Sequence, residues 1–554
     1  MTAESRPGQV GAAQAVGDAD NVSLRVVNSE RTNAAAEGLA PNAADPSLPG
    51  ADGDAVDVDA PRLSRLQRLL AMADEDFDVF PAPDGRLYGM RRGEPHRAFP
   101  LVADGGLMDE LVTMFHARSL TWPLRGERTE VLEYLRMSAR RSSPRRLFTR
   151  SAWLPDDPAL YLDVGDLEET VIEVTPEGWR PASDVPVVFR RPPALAALQI
   201  SDRHTSIEDG LGLLWSLVPV APSDRPVVLA LLLTAWLSGV PQPVVLVTGP
   251  RDSGKTTSAR FLLSLIDPVH HERGGSLPGD EASWKARVNT ARVLLVDNVG
   301  HLTAEKSDLL CRVATGGEAT SRQLYTDDAA HVTELRLPVW LTSIDPGILR
   351  DDLATRLVVI ELLPLTPVER KADSELSREQ DAARPVITRA LLDLLVDVLA
   401  VLPTESALAL MHRMGDFEMV LRSIDTCLGT DGSVRLGELG TEIAGAVLET
   451  DPVAQALLKR ARHVSSEPWL RADDGLVGDW SPTQLLAALS DFTGETVSRA
   501  PGWPKTPGVL TMALNRLATP LQQVHGIRVE TGIREGKNRV RRIRISVRQA
   551  DEPA

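Results

Sequence analysis

Cysteine is nearly absent from this chain of 554 residues, which contains only Cys311 and Cys427. Two cysteines so far apart, with no Cys-x-x-Cys pair, exclude a disulfide framework and a cysteine zinc site. Their scarcity suits a reducing compartment, and the N-terminus has no signal-peptide pattern. We therefore predict a cytoplasmic protein.

A hydrophobic run long enough to cross a membrane is also missing. The stretch 226–250 has no charged residue, but Pro241 and Pro243 interrupt it. The apolar segment before these prolines has about a dozen residues, whereas a bilayer-spanning helix needs about 20. We expect no membrane-spanning segment.

Basic residues are outnumbered, since 60 Lys and Arg against 77 Asp and Glu give a net charge of -17. This excess alone would argue against a nucleic-acid partner, but the charges are unevenly distributed. Residues 1–60 contain 10 acidic and 3 basic residues, whereas residues 505–548 contain 10 basic and 2 acidic ones. The first range is too poor in large apolar groups to fold, so we predict an acidic disordered tail. A second basic run, 140–146, is basic enough to contact phosphates, but a solvated helix end explains it as well.

The strongest motif in the sequence follows the apolar run 244–247 and reads Gly-Pro-Arg-Asp-Ser-Gly-Lys-Thr. Its glycines let backbone N–H groups point at phosphate oxygens, Lys255 places a cation on the β and γ phosphates, and Thr256 offers a hydroxyl to Mg²⁺. An ordinary glycine turn would need neither the preceding strand nor the helix expected at 257–266. We predict that ATP and Mg²⁺ bind here, through Gly249, Pro250, Arg251, Asp252, Ser253, Gly254, Lys255, Thr256 and Thr257.

A second apolar run, 293–296, ends in Asp297 and Asn298, 42 and 43 residues after Lys255. This pattern is typical of a buried strand that delivers a carboxylate to bound phosphates, so we predict that Asp297 and Thr256 hold Mg²⁺. The alternative is an aspartate that merely ends a core strand. Most ATP-hydrolysing motors place a glutamate next to this aspartate, whereas Asn298 can orient water but cannot take its proton.

Three further segments follow in a characteristic order: Thr-Gly-Gly-Glu at 315–318, a hairpin-like stretch at 321–335 and an apolar strand at 337–343. Together with the two ATP motifs, this order resembles the superfamily 3 helicase ATPases, especially the primase-associated helicases of phages, plasmids and integrative elements. The resemblance covers about 240–363. It implies an AAA+-like core, a homo-oligomeric and hexameric ring, DNA in the central channel, and a primase or other replication protein as a partner.

The resemblance also implies roles for individual residues. The hairpin would contact DNA through Arg322, its only Lys or Arg, although its tip is acidic. Thr342 stands where the family usually has a sensor asparagine. Arg356, with Arg350 as a second candidate, would reach the nucleotide of a neighbouring subunit. The alternative for Arg356 is a salt bridge to nearby aspartates within its own subunit.

The region 475–548 combines helix signals with a basic two-stranded pattern. Ser481 with Gln484, and Thr506 with Pro507, predict the starts of two helices. In the last strand apolar residues alternate with arginines, which places the arginines outward. Helices followed by a basic hairpin resemble a winged-helix domain, and the alternative is a solvated basic face on a protein-binding domain. The candidate DNA contacts in this region are Lys505, Arg516, Arg534, Lys537, Arg539, Arg541, Arg542 and Arg544.

These features predict an α/β fold with a P-loop NTPase core of AAA+ type. We expect an acidic tail (1–60), an α+β accessory domain (61–199), the ATPase core (200–363), a helical lid or collar (364–470), the winged-helix-like domain (475–548) and a short tail (549–554). The predicted function is an ATP-hydrolysing DNA motor for replication of a mobile element. The alternative is a nucleotide-switched regulatory protein without helicase activity. The predicted catalytic residues are Lys255, Asp297, Asn298, Thr342 and Arg356.

Overall fold

The computed structural model describes residues 63–182, 184–300, 302–322, 330–343, 351–405, 410, 412–466, 476–499, 502–535 and 540–547. The two predicted tails lie outside these ranges, as do Arg350, Lys537, Arg539 and the tip of the core hairpin. Cys311 and Cys427 are both free, which confirms the absence of a disulfide between them. No helix in the described ranges is long and apolar enough to span a membrane.

Residues 65–190 form three helices and two sheets. The first sheet has the strand order β1-β2-β3-β9-β4 and the second has the order β5-β6-β7-β8. A capping box between Ser64 and Gln67 starts the first helix. The elements are α1 (Arg65–Asp76), β1 (Phe77–Pro81), β2 (Leu87–Arg91), β3 (Glu94–Pro100), α2 (Leu107–Ser119), α3 (Arg125–Arg141), β4 (Leu147–Phe148), β5 (Ser151–Leu154), β6 (Ala159–Asp163), β7 (Val171–Thr175), β8 (Gly178–Pro181) and β9 (Val188–Arg190).

The next region, 207–361, alternates helices with mostly parallel strands. Its elements are α4 (Ile207–Leu217), a short 3-10 turn (Pro222–Asp224), α5 (Arg225–Trp236), β10 (Val244–Thr248), α6 (Lys255–Ser264), α7 (Glu281–Val288), β11 (Leu294–Val296), α8 (Ala304–Thr315), β12 (Gly317–Arg322), β13 (Ala330–Leu335), β14 (Val339–Thr342), α9 (Asp351–Ala354) and β15 (Leu357–Glu361). The predicted hairpin is present as β12 and β13, but its first strand begins at Gly317 rather than 321. Ladder bonds to Leu335 extend the hairpin back to that glycine.

The central sheet of this region has the strand order β11-β14-β10-β15, and all of its pairs are parallel. Residues 244–247 of β10 are all buried, which is typical of a parallel strand with an uninterrupted apolar run. The strand β14 lies between β10 and β11. The carboxyl ends of these three strands therefore meet at one edge.

Four helices follow the parallel sheet: α10 (Asp373–Glu405), α11 (Gly415–Leu428), α12 (Gly432–Thr450) and α13 (Pro452–Ser466). The apolar series of α10 faces inward, and its members Leu391, Leu392, Leu394, Leu395, Val398 and Leu399 are all buried. The helix α10 packs on both α4 and α11. The helical character expected after 364 is therefore present, although the first helix begins at Asp373.

The last region contains β16 (Leu476–Trp480), α14 (Pro482–Thr493), α15 (Glu495–Ser498), α16 (Pro507–His525), β17 (Ile527–Glu535) and β18 (Val540–Val547). The predicted capping box of Ser481 and Gln484 is present at the start of α14, and Thr506 caps α16. The leucine stripe of α16 (Leu510, Leu514, Leu517 and Leu521) is fully buried. The strand β16 was not expected from the sequence, and it pairs with β18 to give the antiparallel order β16-β18-β17.

The largest hydrophobic cluster consists of buried residues that come from many elements between Leu160 and Ile443. Leu160 and Leu162 of β6, together with Val174 of β7, belong to this cluster, and β7 and β8 contact α10. The second sheet of the expected accessory domain thus shares its core with the parallel sheet. Part of the region 61–199 is therefore packed against the region that contains the parallel sheet.

Arg150 joins the same two regions through polar contacts. Its guanidinium is completely buried and pairs with Asp267 at 3.1 Å. It also donates hydrogen bonds to four backbone carbonyls, those of Asp163, Val164, Ala196 and Pro268. Burying a charge is costly unless it is paired and fully hydrogen-bonded, and this arginine meets both conditions.

Candidate functional site

The loop between β10 and α6 has three residues with positive φ angles. Gly249, Asp252 and Gly254 have φ angles of 144°, 62° and 72°. A Cβ atom at Gly249 would lie 2.9 Å from Ser253 Oγ and 3.0 Å from the carbonyl oxygen of Leu362. Only glycine fits there. The loop consequently curls tightly before α6 begins at Lys255.

The lysine of the motif lies across the loop. Lys255 Nζ donates hydrogen bonds to the carbonyl oxygens of Gly249, at 3.1 Å, and Pro250, at 2.7 Å. The Oγ atom of Ser253 is buried and has no hydrogen-bond partner among the described residues. A cation, an unsatisfied hydroxyl and the N-terminus of α6 are therefore gathered at one place, and each of them favours an anion.

One carboxylate oxygen of Asp297 accepts hydrogen bonds from two hydroxyl groups. Thr256 Oγ1 donates to Asp297 Oδ1 at 2.7 Å, and Thr342 Oγ1 donates to the same atom at 2.6 Å. The Thr342 hydroxyl in turn accepts a hydrogen bond from the backbone N–H of Asn298 at 2.8 Å. Four of the predicted site residues are thus brought into one hydrogen-bonded group.

The strand order produces this grouping. Thr256 follows β10, Asp297 follows β11 and Thr342 ends β14, which lies between the other two strands. Asn298 has a left-handed backbone with φ 54°, a conformation that asparagine tolerates better than most residues. Asn298 is an exposed residue.

The carboxyl of Asp297 is held in its charged form. Burial by itself would raise the pKa of this group, but hydrogen bonds from Thr342 and Thr256 and the nearby charge of Arg260 lower it overall. The group is therefore a carboxylate at neutral pH. An ionised carboxylate beside a threonine hydroxyl is an oxygen set that suits Mg²⁺, which is usually bound by one or two carboxylates together with substrate phosphates.

No group of three or more His, Cys, Asp and Glu side chains that could hold a metal occurs in the described part of the chain.

A cleft of about 540 Å³ adjoins the phosphate loop and was not anticipated from the sequence. Its lining includes Trp215, Leu217, Leu363, Leu365 and Gly254. The guanidinium of Arg225 stacks on Trp215. The signal that could have revealed the cleft is the apolar segment 363–365, which directly follows the last strand of the parallel sheet.

Arg356 is paired within its own chain. Its guanidinium is largely buried, donates to the Asp352 carbonyl oxygen at 2.7 Å and forms an ion pair with the Asp352 carboxylate. Arg413 lies 3.8 Å from the same carboxylate. This is the intrasubunit arrangement that the sequence left open as the alternative. A role of Arg356 at a neighbouring nucleotide stays a prediction.

The base of the core hairpin is fixed by Arg336. Gly316 ends α8 with φ 86°, and a Cβ atom there would lie 2.3 Å from Arg336 Nη2. Arg336 also donates from Nε to Glu334 at 2.8 Å and bonds to the carbonyl oxygen of Gly239. Glycine at 316 thus makes room for a guanidinium that ties the hairpin to the body of the protein. The side chain of Arg322 lies outside the described part.

The predicted DNA contacts near the C-terminus fall into two groups. Arg534, Arg541 and Arg542 line one cleft of about 710 Å³, together with the first residues of α14 and α16. The other three described candidates have partners of their own: Lys505 donates to the Ser498 carbonyl oxygen, Arg516 pairs with Asp451, and Arg544 pairs with Asp479.

Arg534 and Arg541 are directly opposite each other in the β17–β18 ladder. Like charges in such a position destabilise a sheet. Among the side chains that the structure describes, no carboxylate forms an ion pair with Arg534, Arg541 or Arg542, and all three arginines line the same cleft.

Three solved structures are similar to the chain over part or most of its length. "SCCmec type IV Cch - active helicase" has 12% identity, covers 85% of this chain and 93% of its own, and has a TM-score of 0.40. The NrS-1 C terminal region has 13% identity, coverages of 87% and 99%, and a TM-score of 0.37. JCV helicase has 16% identity, coverages of 40% and 61%, and a TM-score of 0.23. At such low TM-scores these likenesses do not bear on function. No curated protein matches the chain.

Two family models match the sequence. Residues 212–435 match the actinomycete integrative conjugative element replication protein, and residues 453–553 match the C-terminal domain of the same replication protein. Together these ranges cover more than half of the chain. The first contains the phosphate loop, Asp297, Thr342 and Arg356, and the second contains the cationic cleft. The chain therefore belongs to the family of replication proteins of actinomycete integrative conjugative elements.

Proposed function

We propose that this replication protein is an ATP-hydrolysing DNA motor of the superfamily 3 helicase type. The observation that carries the proposal is the convergence of Thr256 and Thr342 on Asp297 at the carboxyl edge of the parallel sheet. A carboxylate, a metal-binding hydroxyl and a polar group on the intervening strand are the parts that ATP hydrolysis requires around the γ-phosphate.

Each residue of the site has a task in this mechanism. The N-terminus of α6 and Lys255 would neutralise the phosphates, and Lys255 would exchange its two loop carbonyls for phosphate oxygens. Thr256 and Asp297 would hold Mg²⁺, which neutralises the charge that develops on the transferring phosphoryl group. Asn298 would orient the attacking water. The cleft beside Trp215 and Leu363 would take the base, because it adjoins Gly254 and its lining includes the apolar side chains of Trp215, Leu363 and Leu365.

DNA would be bound by a winged-helix domain at the C-terminus. The order α13, β16, α14, α16, β17, β18 and the sheet order β16-β18-β17 support this proposal. The helix α16 would approach a groove, while Arg534, Arg541 and Arg542 would neutralise phosphates. Because these three arginines lack acidic partners in the described ranges, binding a phosphate would relieve their mutual repulsion.

The motor would act as a ring, as the order of its motifs implies. Arg356 would leave Asp352 and reach the nucleotide of the next subunit, where a guanidinium stabilises charge in the transition state. We propose a hexamer that works beside a primase or another replication protein.

A nucleotide-switched DNA-binding protein is the second candidate. Asn298 favours it, because an asparagine in place of the customary glutamate cannot accept a proton from water. In that case ATP would order the assembly, and hydrolysis would be slow or absent.

The test is the steady-state rate of ATP hydrolysis by the full-length protein, with and without single-stranded and duplex DNA. Lys255→Ala removes the predicted phosphate cation, and Lys285→Ala is the matched control on α7. DNA-stimulated turnover that only Lys255→Ala eliminates supports the motor. ATP binding with negligible turnover under every condition would contradict it and favour the switch.

A further inference from the structure

Two clefts outside the nucleotide site share Arg190 and Asn289 among their lining residues. The first, of about 450 Å³, lies among residues 82–84, 146–151, 288–292 and the base of the core hairpin. The second, of about 600 Å³, lies between β2, α3 and the loop after β9. We refer to them together as the arginine groove, defined by Arg136, Arg140, Arg146, Arg190, Arg292 and Arg336.

The groove has an excess of positive charge. Eight arginines line it, but only four acidic residues do. The four acids are Asp84, Glu133, Glu318 and Glu334. An anion is therefore the class of ligand that the groove favours.

Arg292 is the most unusual of these arginines. Its side chain is 91% buried, and its Nε has no hydrogen-bond partner among the described residues. Asp267, whose charge acts on Arg292, is already paired with Arg150 and Arg273. Burial lowers the pKa of Arg292 to about 10, so the group still carries its charge at neutral pH. A buried cation that lacks a hydrogen-bond acceptor is costly in free energy unless a ligand supplies the acceptor.

Two exposed arginines stand at the entrances. Arg146 is 62% exposed, and its nearest carboxylate, that of Glu334, lies 3.9 Å away. Arg140, at the end of α3, is also exposed, and it has no ion pair within the described ranges. Both belong to the basic run 140–146, which a solvated helix end could have explained. In the structure Arg146 lines the first cleft and Arg140 lines the second, and the two clefts share Arg190 and Asn289.

The dimensions and lining of the groove favour a single strand. Clefts of about 450 and 600 Å³ are the size of pockets that take one small ligand, so they would admit nucleotide units but not a duplex. Phe148 lines the first cleft, and the Arg146 guanidinium stacks on it. Cationic grooves with aromatic groups are typical of single-strand binding. Glu318 and Glu334 of the hairpin lie at one end.

We propose that the arginine groove holds the phosphate backbone of a single DNA strand next to the base of the core hairpin. This inference rests on the proposed function, because it assumes that the protein acts on DNA. It assigns a role to part of the region 63–199, all of which precedes both family-model matches. The ligand chemistry is a phosphate group with Arg292 as its buried contact.

The experiment measures binding of the full-length protein to fluorescein-labelled oligo(dT) of about 20 nucleotides by anisotropy, without ATP. The variants are Arg292→Met and the surface double variant Arg140→Ala/Arg146→Ala. The control, Arg118→Ala/Arg180→Ala, removes the same charge from exposed arginines outside the groove. We expect both groove variants to weaken binding about 5-fold to 10-fold. The slope of log affinity against log salt should shrink by about 0.7 per lost phosphate contact.

The possible results separate the two proposals. If the wild type does not bind the oligonucleotide, the proposed function fails. If the wild type binds and both groove variants behave like the control, the groove inference alone is wrong. Inorganic phosphate and dATP are tested as separate probes by thermal shift. If Arg292→Met abolishes their effect while oligonucleotide binding is unchanged, the site takes a free phosphate ligand and the strand path is overturned. The surface double variant keeps the test decisive if Arg292→Met does not fold.

Discussion

Thr342 donates its hydroxyl hydrogen to Asp297 at 2.6 Å, from the strand that lies between the two ATP motifs. The same hydroxyl accepts the backbone N–H of Asn298. The residue at this position thus helps to lower the pKa of Asp297 and also accepts a hydrogen bond from the backbone of Asn298. A threonine here takes part in positioning even though it replaces the asparagine of the resembling family.

Thr342→Val should reduce ATP turnover by about 10-fold or more while leaving the KM for ATP largely unchanged. The valine keeps the shape but removes one donor and one acceptor, and an unsatisfied buried group costs about 1–3 kcal/mol of stability. Thr342→Ser keeps the hydroxyl and is the control. Equal turnover by the valine and serine variants would show that the hydroxyl has no role.

Asn298→Glu should raise ATP turnover if proton acceptance limits hydrolysis. The glutamate would restore a base beside Asp297, whereas Asn298→Gln adds length without basicity and serves as the control. Position 298 has a left-handed backbone, so we expect a loss of about 1 kcal/mol in stability for either substitution. Steady-state rates and urea unfolding together measure both effects. Unchanged turnover with intact stability would mean that water activation is not the limiting step.

Mixing Arg356→Ala with Lys255→Ala should restore part of the ATPase activity that each variant lacks alone. An active site needs Lys255 from one subunit and, in our proposal, Arg356 from the next, so only mixed rings contain complete sites. The assay is the turnover rate as a function of the mixing ratio. If no activity returns, Arg356 serves only as the partner of Asp352 in its own chain.

Acid should weaken the contact between Asp267 and its arginines. Burial would raise the pKa of Asp267, but Arg273 and Arg150 lower it overall. Burial also lowers the pKa of Arg150, yet arginine stays protonated in proteins, so the pair remains charged. A lowered folded-state pKa means that the stabilisation is present above about pH 4 and is lost as the pH falls through that lowered value.

Asp267→Asn should therefore lower the free energy of unfolding by about 3–5 kcal/mol at neutral pH. The difference in free energy of unfolding between variant and wild type should become smaller as the pH falls below about 4, because the wild type then loses the same charge. Urea unfolding over this pH range measures the difference. Asp156→Asn, at an exposed position, is the control. If the free energies of unfolding of wild type and Asp267→Asn changed in parallel with pH, the stabilising charge would not lie on Asp267.

Arg534→Ala/Arg541→Ala should weaken binding to duplex DNA by about 10-fold without lowering stability. These arginines repel each other across the β17–β18 ladder, so their removal relieves strain in the free protein. Anisotropy with a labelled duplex and thermal unfolding measure the two effects. Lys459→Ala/Arg499→Ala removes equal charge from exposed positions outside the cleft. If the free energy of unfolding fell by as much as the free energy of DNA binding, these arginines would have a structural role.

Local features of the fold were predictable from the sequence because neighbours along the chain determine them. The phosphate loop, the buried strand before Asp297 and the capped starts of α14 and α16 all depend on a few adjacent residues. The contact of Thr342 with Asp297 was not predictable, since it requires the order of three strands. The strand β16 was missed because Gly478 and Asp479 weaken its β pattern, and only pairing with β18 defines it.

The buried guanidinium of Arg150 has a practical consequence for any shortened form of the protein. A fragment that begins at residue 200 would lose Arg150 and the strands β6 and β7. It would leave Asp267 without one of its two arginines and expose the apolar surface of α10 that β7 and β8 cover. A fragment that keeps Arg150 and the cover of α10 should therefore start before residue 150, even though the glycine-rich loop begins only at residue 249.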